Sequence, residues 1–524
     1  MTTADTTTIR TMCPMNCHPT FCGMSVEVES GALKSVRGDK DNPDSQGFLC
    51  VRGRAAGEIY SNPKRLLYPQ IRDDRGTDSW RRVSWDEAIA FIAKRMQAAG
   101  PKAVGLWAGH GGFTSGSAVT VQMMHRFAHL FGCNTWHPAM VCWGIGGFGV
   151  GLTGALKVST KEDMADNSQL IVLWGANIAS QPNTARCIVS ARKRGARIVT
   201  IDVRRTEAAA QSDELLLIQP GSDAALALAV MHVIIAEKLH DAAFVDAHTT
   251  GFAELAAHVA AFTPAWAAEQ TGLSADQIIS FARVYGSTRP AMILIGGSSM
   301  HKGDNGWHAA RAISCLPALT GDFGRPGGGL GPRHGAASAV LANLNADAPR
   351  PAGDYIANQM PDIATALSRG ELKVLCLLGT NMLSSFADAG DISKSLAGTE
   401  TIVAVDLFMN ETMRRFADVI LPGTAWLEEV GFKTTNTHLY LMERALEREG
   451  ETRPIYEILT ALANSLGLAG YSRWGSVEEI IDALLDHPTT GQATVAGLRA
   501  AGGFLPLNVP HVAYAERKFD SPSG

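Results

Sequence analysis

A chain of 524 residues is too long for a single hydrophobic core, and about three or four packed units are expected. With 46% hydrophobic and 19% charged residues it is composed like a globular enzyme, which argues against a disordered or fibrous chain. The formal net charge of −5 comes with no dense Lys/Arg block, so no nucleic-acid partner is expected, and the longest apolar run, Ala224 to Ala236, is too short for membrane insertion.

The first twelve residues are polar and Thr-rich, with no apolar export segment and no twin arginine, so a cytoplasmic location is expected. Nine cysteines in such a chain do not suggest a disulfide framework. Their clustering suggests metal. Cys13, Cys17 and Cys22 crowd together, and Cys50 follows in Gly47-Phe-Leu-Cys-Val-Arg-Gly53. Zinc and [4Fe-4S] both accept four thiolates; zinc favours two compact cysteine pairs, whereas three close cysteines and one distant one suit a cubane. Between them, Met24 to Val36 alternates apolar and polar residues around Ser30-Gly31, as a hairpin returning Cys50 toward the other three would.

Further on, Gln169 to Gly175 reads as a buried strand, a helix is expected from about Pro182, and Ala196 to Asp202 reads as a second strand. The order recurs: Leu372 to Gly379, a helical stretch, then Thr401 to Asp406. The same interval separates Asn177 from Asp202 and Asn381 from Asp406, and Gln219-Pro-Gly-Ser is echoed by Leu421-Pro-Gly-Thr. Two related α/β halves are implied. In parallel sheets ligands lie beyond the carboxyl ends of the strands, where glycines admit phosphates and a carboxylate can accept from a ribose or base. Here those places are Gly175, Asn177 and Asp202 in one half and Gly379, Asn381 and Asp406 in the other. Gly144-Ile-Gly146-Gly-Phe-Gly149 matches a dinucleotide fingerprint in letters only, because no clean strand precedes it and no good helix former opens after it.

A cysteine cluster closing in Cys-Val-Arg-Gly, followed by a duplicated nucleotide-binding fold, resembles the dimethyl sulfoxide reductase family of molybdopterin oxidoreductases. The segments that carry the likeness span the chain: Phe48–Gly53, Trp174–Asn177, Ile201–Thr206, Gln219–Asp223, Leu319–Gly329, Leu378–Asn381 and Ala417–Pro422. The resemblance implies a catalytic subunit with one [4Fe-4S] cluster on Cys13, Cys17, Cys22 and Cys50, and Mo or W held by two molybdopterin guanine dinucleotides. It further implies Cys142 as a protein ligand to that metal and Arg52 between cluster and pterin; from the residues themselves, Arg333 beside His334, after the Gly-rich segment, is an anion-binding candidate and His334 a proton handler, which makes both catalytic candidates. For nucleotide binding it implies Gly175, Asn177, Asp202, Arg204, Gly221, Asp223, Gly379, Asn381, Asp406 and Asp418. Cys133, Cys187, Cys315 and Cys376 are expected in the core.

The implied activity is two-electron oxidation or reduction of a small-molecule substrate, with electrons relayed through the cluster to a partner protein. Two departures qualify it. Cys17 to Cys22 is one residue longer than the family's usual interval, and Trp143 stands where formate dehydrogenases carry His, which weakens formate as substrate. Other proton handlers in view are His110, His137 and His301. The chain also stops where family members continue into a domain covering the pterins, so a truncation or a separate polypeptide carrying that domain is expected. The alternatives are a metal-free electron-transfer subunit and a non-redox hydratase resembling acetylene hydratase. The expected fold is α/β and multi-domain: a small β-rich iron–sulfur unit (1–62), one doubly wound nucleotide-binding unit from 63–110 with 333–524, and a second from 111–332.

Overall fold

Strands form where short β-branched and aliphatic runs are bounded by glycine and polar turns. The computed structural model describes residues 6–15, 21–109, 117–137, 142–297, 303, 306–332 and 339–524. At the N-terminus, β1 (Thr6–Met12), β2 (Gly23–Glu29) and β3 (Ala32–Gly38) form an antiparallel sheet. The expected hairpin joins β2 to β3, with Ser30 and Gly31 both at positive φ, as its tight turn requires. Met24, Val26 and Val28 alternate onto one face and pack with Leu49, Ala56, Trp426 and Leu427.

The next strands are β4 (Gln70–Ile71), β5 (Arg81–Arg82), β6 (Val104–Ala108) and β7 (Asn134–Trp136), followed by β8 (Leu170–Trp174), β9 (Arg197–Asp202), β10 (Glu214–Leu217), β11 (Ala291–Ile295) and β12 (Gly329–Leu330). After them come β13 (Val374–Leu378), β14 (Thr401–Asp406) and β15 (Val419–Pro422). Two sheets result. One runs β10-β9-β8-β11-β12, all parallel; the other runs β5-β4-β15-β14-β13-β6-β7, parallel from β15 to β7 with β4 and β5 added antiparallel at one edge. The two five-stranded parallel cores have the same spatial order, although β6 and β7 precede their neighbours in the chain.

Both central strands are covered on both faces, as parallel sheets require. Leu170, Val172 and Trp174 enter one apolar cluster while Ile171 and Leu173 enter another. Val374, Cys376 and Leu378 likewise face one cluster while Leu375 and Leu377 face the opposite one. Cys133 and Cys376 are core residues, as expected, and burial pushes the Cys376 thiol up to about 12. Cys187 and Cys315 are only partly buried by surface area, yet each thiol is pushed up to about 11 by desolvation.

The unit boundaries drawn from sequence shift in two places. The helix Ser117–Phe131 and β7 were assigned to the 111–332 unit, but Val119, Met123, Met124 and Phe127 bury in the core of the seven-stranded sheet, and β7 pairs with β6. The end of the chain was assigned to the flanking unit, but Ala513 and Tyr514 pack into the core of the five-stranded sheet, where the Tyr514 hydroxyl donates to the Gly154 carbonyl at 2.9 Å. A last antiparallel sheet, β16 (Gly431–Thr434), β17 (His438–Met442) and β18 (Phe504–Pro506), lies beside β1. Among the described residues no helix is long and apolar enough to cross a membrane.

Candidate functional site

The cysteine end of the protein is built by the β1–β2 ladder. Beyond the Met12–Gly23 pair the ladder continues, with the Cys13 amide donating to the Cys22 carbonyl at 2.8 Å. This holds those two cysteines side by side. Cys50 caps the short helix Val51–Arg54. Burial alone would raise its thiol pKa, but the Gly53 and Arg52 amides and the Arg52 side chain outweigh that and hold it below the usual thiol value. The Cys-Val-Arg-Gly order has a steric reason too. A Cβ on Gly53 would lie 3.3 Å from Cys13 Sγ and collide with Leu49, so glycine lets the Cys50 turn rest against Cys13.

Cys17 lies outside the described residues, and among those described no three metal-capable side chains close around a point. The donor chemistry of Cys13, Cys22 and Cys50 nonetheless fits a thiolate-bound cluster: three cysteines are gathered on one small sheet and its following turn, and Arg52 contacts one of them. Two further residues reach this loop and escaped the sequence reading. Asn183, buried at the start of the helix Pro182–Lys193, donates from Nδ2 to the Phe21 carbonyl at 3.1 Å and approaches Cys22 Sγ at 3.7 Å. Lys433 on β16 donates from Nζ to the Pro14 carbonyl at 3.4 Å. Neither has a local signature; each is distant in sequence from the cysteines.

The second part of the site is the pair of crevices at the carboxyl ends of the parallel sheets. Gly175 follows β8 and Gly379 follows β13; their φ values are 60° and 63°, and each amide donates at 2.8 Å, to Ile201 and Val405 respectively. The neighbouring strands end equivalently. The Gly296 amide donates to the Trp174 carbonyl at 2.8 Å and the Gly109 amide to the Leu378 carbonyl at 2.9 Å. Gly296 leaves no room for a Cβ against Gly175, and a Cβ on Gly109 would stand 2.5 Å from the Gly379 oxygen. These glycine pairs mark the two positions where strand order reverses, the usual site for a nucleotide in an open α/β sheet.

Around them, Asp202 and Asp406 are equivalent. Each ends its strand half-buried, and each accepts the next amide on Oδ1, from Val203 at 2.8 Å and Leu407 at 2.7 Å. Asp406 also accepts from Asn410 Nδ2 at 2.9 Å, and burial raises its pKa. Asn177 caps a turn and donates from Nδ2 to Glu207 at 2.8 Å; Asn381 accepts from the Thr412 hydroxyl at 2.6 Å. Arg204 is exposed beside Asp202, and Gly221 lies in an exposed turn. Asp223 is buried and accepts from Trp174 Nε1 at 2.9 Å, with burial raising its pKa, so its role begins as a strut under β8.

Asp418 is a correction. It accepts the Ile402 amide on Oδ2 at 2.7 Å and pairs with Arg75, just as Asp213 accepts the Ile198 amide at 2.8 Å. Both sit at the amino end of the sheet, opposite the crevices, because they precede β15 and β10 rather than follow them.

Cys142 immediately precedes the helix Trp143–Gly151, half-buried, and its thiol points to the Gly297 carbonyl at 3.8 Å, one residue beyond the Gly296–Gly175 contact. It therefore stands beside a crevice. The glycine-rich letters after it form a helix, which the lack of good helix formers there did not lead one to expect; at Gly149 a Cβ would collide with the Trp307 backbone, so glycine serves close packing onto the helix Gly306–Thr320. Arg333 and His334 lie outside the described residues, as do His110 and His301. His137 is described, and burial lowers its pKa.

The family pattern of the molybdopterin oxidoreductases matches residues 65–465, and that of their Fe4S4 domain matches residues 6–62. A probable oxidoreductase, YoaE, of Bacillus subtilis (strain 168) is 31% identical over 497 residues, 91% of this chain and 71% of the relative. Formate dehydrogenase H of Escherichia coli (strain K12) is 28% identical over 519 residues, covering 90% of this chain and 70% of that one. Acetylene hydratase from Pelobacter acetylenicus superposes with a TM-score of 0.82 over 95% of this chain and 74% of its own, at 22% identity, a likeness of fold. The chain belongs to the molybdopterin oxidoreductase family, as an enzyme with a [4Fe-4S] cluster and a molybdopterin-held Mo or W centre.

Proposed function

We propose that this enzyme oxidises or reduces a small substrate by two electrons at a Mo or W centre held by two guanine dinucleotide pterins, and relays the electrons singly through the cluster. The observation that carries this reading is the pair of equivalent crevices, Gly175–Gly296 and Gly379–Gly109, one of them beside Cys142. When bound, the metal supplies the two-electron couple and the cluster the single-electron steps.

The protein's own residues supply the rest. The glycine pairs let a large ligand approach the backbone, and Asp202 and Asp406, already oriented by the amides that follow them, retain lone pairs for guanine or ribose donors. Cys142 offers a soft thiolate suited to Mo or W. Arg52 holds positive charge against Cys50. Phe48 and Val51, 41% and 78% exposed beside Cys50, offer an apolar contact for an electron-transfer protein. A reducing compartment such as the cytoplasm suits a chain whose first cysteines serve as cluster ligands.

The reading is tested with Cys142→Ala. Turnover with a viologen dye should fall at least a hundredfold, on the order of 3 kcal/mol in barrier, while the cluster's EPR signal persists. Unchanged turnover would remove Cys142 from the metal. Turnover of an unsaturated substrate by addition of water, with no acceptor present, would replace the redox reading with hydration.

A further inference from the structure

We propose that Lys433 is a positioning residue for the cluster, a second fixed cation that stabilises the reduced form and raises its reduction potential. The proposal rests on the cluster reading above and goes beyond it, since that reading gives the electrostatic role to Arg52 alone.

Lys433 lies in β16, where neighbouring residues face opposite sides. Phe432 faces the core of the seven-stranded sheet, so Lys433 faces the other way, toward the N-terminal sheet. The side chain is only 3% exposed. Its Nζ donates to the Pro14 carbonyl at 3.4 Å and stands 5.1 Å from the centre of the Phe21 ring. Pro14 adjoins Cys13 and Phe21 adjoins Cys22, so the ammonium is held against both ends of the loop that carries the first cysteines. Sequestering a lysine from water is costly, and it is tolerated where the charge meets acceptors and π density. A thiolate cluster adds a further reason for the charge to be there.

On reduction the cluster gains one electron and no proton, and with four thiolates its overall charge passes from dianionic to trianionic. A buried cation nearby favours the more negative state, because the low local dielectric leaves its charge little screened. The two cations act from different sides, Arg52 at the Cys50 turn and Lys433 at the Cys13–Cys22 loop.

The test is an EPR-monitored titration of the purified holoenzyme, with dithionite as reductant and ferricyanide as oxidant, on wild type, Lys433→Gln and Lys433→Arg. Glutamine keeps a donor for Pro14 but removes the charge. At the wild-type midpoint, Lys433→Gln should hold a ratio of reduced to oxidised cluster roughly tenfold lower, a shift of ~59 mV for one electron. Lys433→Arg should titrate with wild type. An unshifted midpoint in Lys433→Gln overturns the proposal, and so does loss of iron in Lys433→Gln with iron retained in Lys433→Arg, which would make the residue a structural support. If wild type itself shows no [4Fe-4S] signal, the cluster reading fails instead.

Discussion

Lys161 Nζ meets Asp44 Oδ1 at 2.5 Å in the interior, where the two side chains are 4% and 1% exposed. Asp44 belongs to the loop that leads into Cys50, and Lys161 opens the helix Lys161–Asn167 that precedes β8. The Tyr440 hydroxyl on β17 donates to the other Asp44 oxygen at 2.6 Å, so one carboxylate joins three separate parts of the fold. Asp44→Asn leaves a buried ammonium with Glu162 as its remaining anion, and should cost about 3 kcal/mol of stability, the lower end for a broken buried pair. Urea unfolding at neutral pH checks this.

The same pair sets a pH window. Desolvation alone would raise the Asp44 pKa, but Lys161 and the Tyr440 hydroxyl outweigh it, so the folded value lies below the usual one. Its stabilisation is present above the ordinary carboxylate range and is lost as pH falls through the lowered value. Lys161 is opposite: despite desolvation, Asp44 and Glu162 raise its pKa, so its stabilisation is present below 10.5 and lost as pH rises through the raised value. Asp44→Asn should flatten the acid limb of the stability profile. An acid limb unchanged from wild type would show that other carboxylates set it.

His125 should weaken the fold earlier in acid. Burial first, then the nearby His137, His129 and Arg350, push its pKa down to about 4 from 6.5. The neutral ring is favoured in the folded state, so stability is full above pH 6.5 and declines as pH falls toward 4. The decline attributable to this residue is about 1–3 kcal/mol, discounted for partial exposure. His125→Gln should remove that part of the slope between pH 7 and 5.

The aspartates of the two sheet ends should separate cleanly. Asp406→Asn should lower retained pterin, measured by fluorescence after oxidative extraction, with little change in melting temperature. Asp418→Asn should do the reverse, with a loss of about 1–3 kcal/mol from its Arg75 and Ile402 contacts. If Asp418→Asn strips pterin from a fold of unchanged stability, its placement away from the crevices is wrong.

Gly296→Ala and Gly109→Ala probe the crevices themselves. Each adds a Cβ against the backbone of the adjoining strand end, so each should cost about 1–3 kcal/mol and reduce pterin content together. Normal pterin content in both would separate the crevices from cofactor binding.

The duplication was legible because each half repeats an apolar strand, a glycine and an acid at one interval: Gly175 with Asp202, and Gly379 with Asp406. Asp418 was misread because the family-like run Ala417–Pro422 does not reveal which end of β15 its acid occupies; only the parallel pairing with β14 does. The helix Ser117–Phe131 and β7 were misplaced because β6 enters its sheet before the strands it joins. Lys433 and Asn183 were invisible for a different reason. Their contacts with the cysteine loop depend on tertiary packing, and neither occupies a motif.

The central claim is most directly tested by elemental analysis of anaerobically purified protein for Fe, Mo, W and Zn, with the chain quantified by amino-acid analysis. The account predicts about four Fe and about one Mo or W per chain. Iron without Mo or W would contradict the catalytic reading, and zinc in place of iron would contradict the cluster.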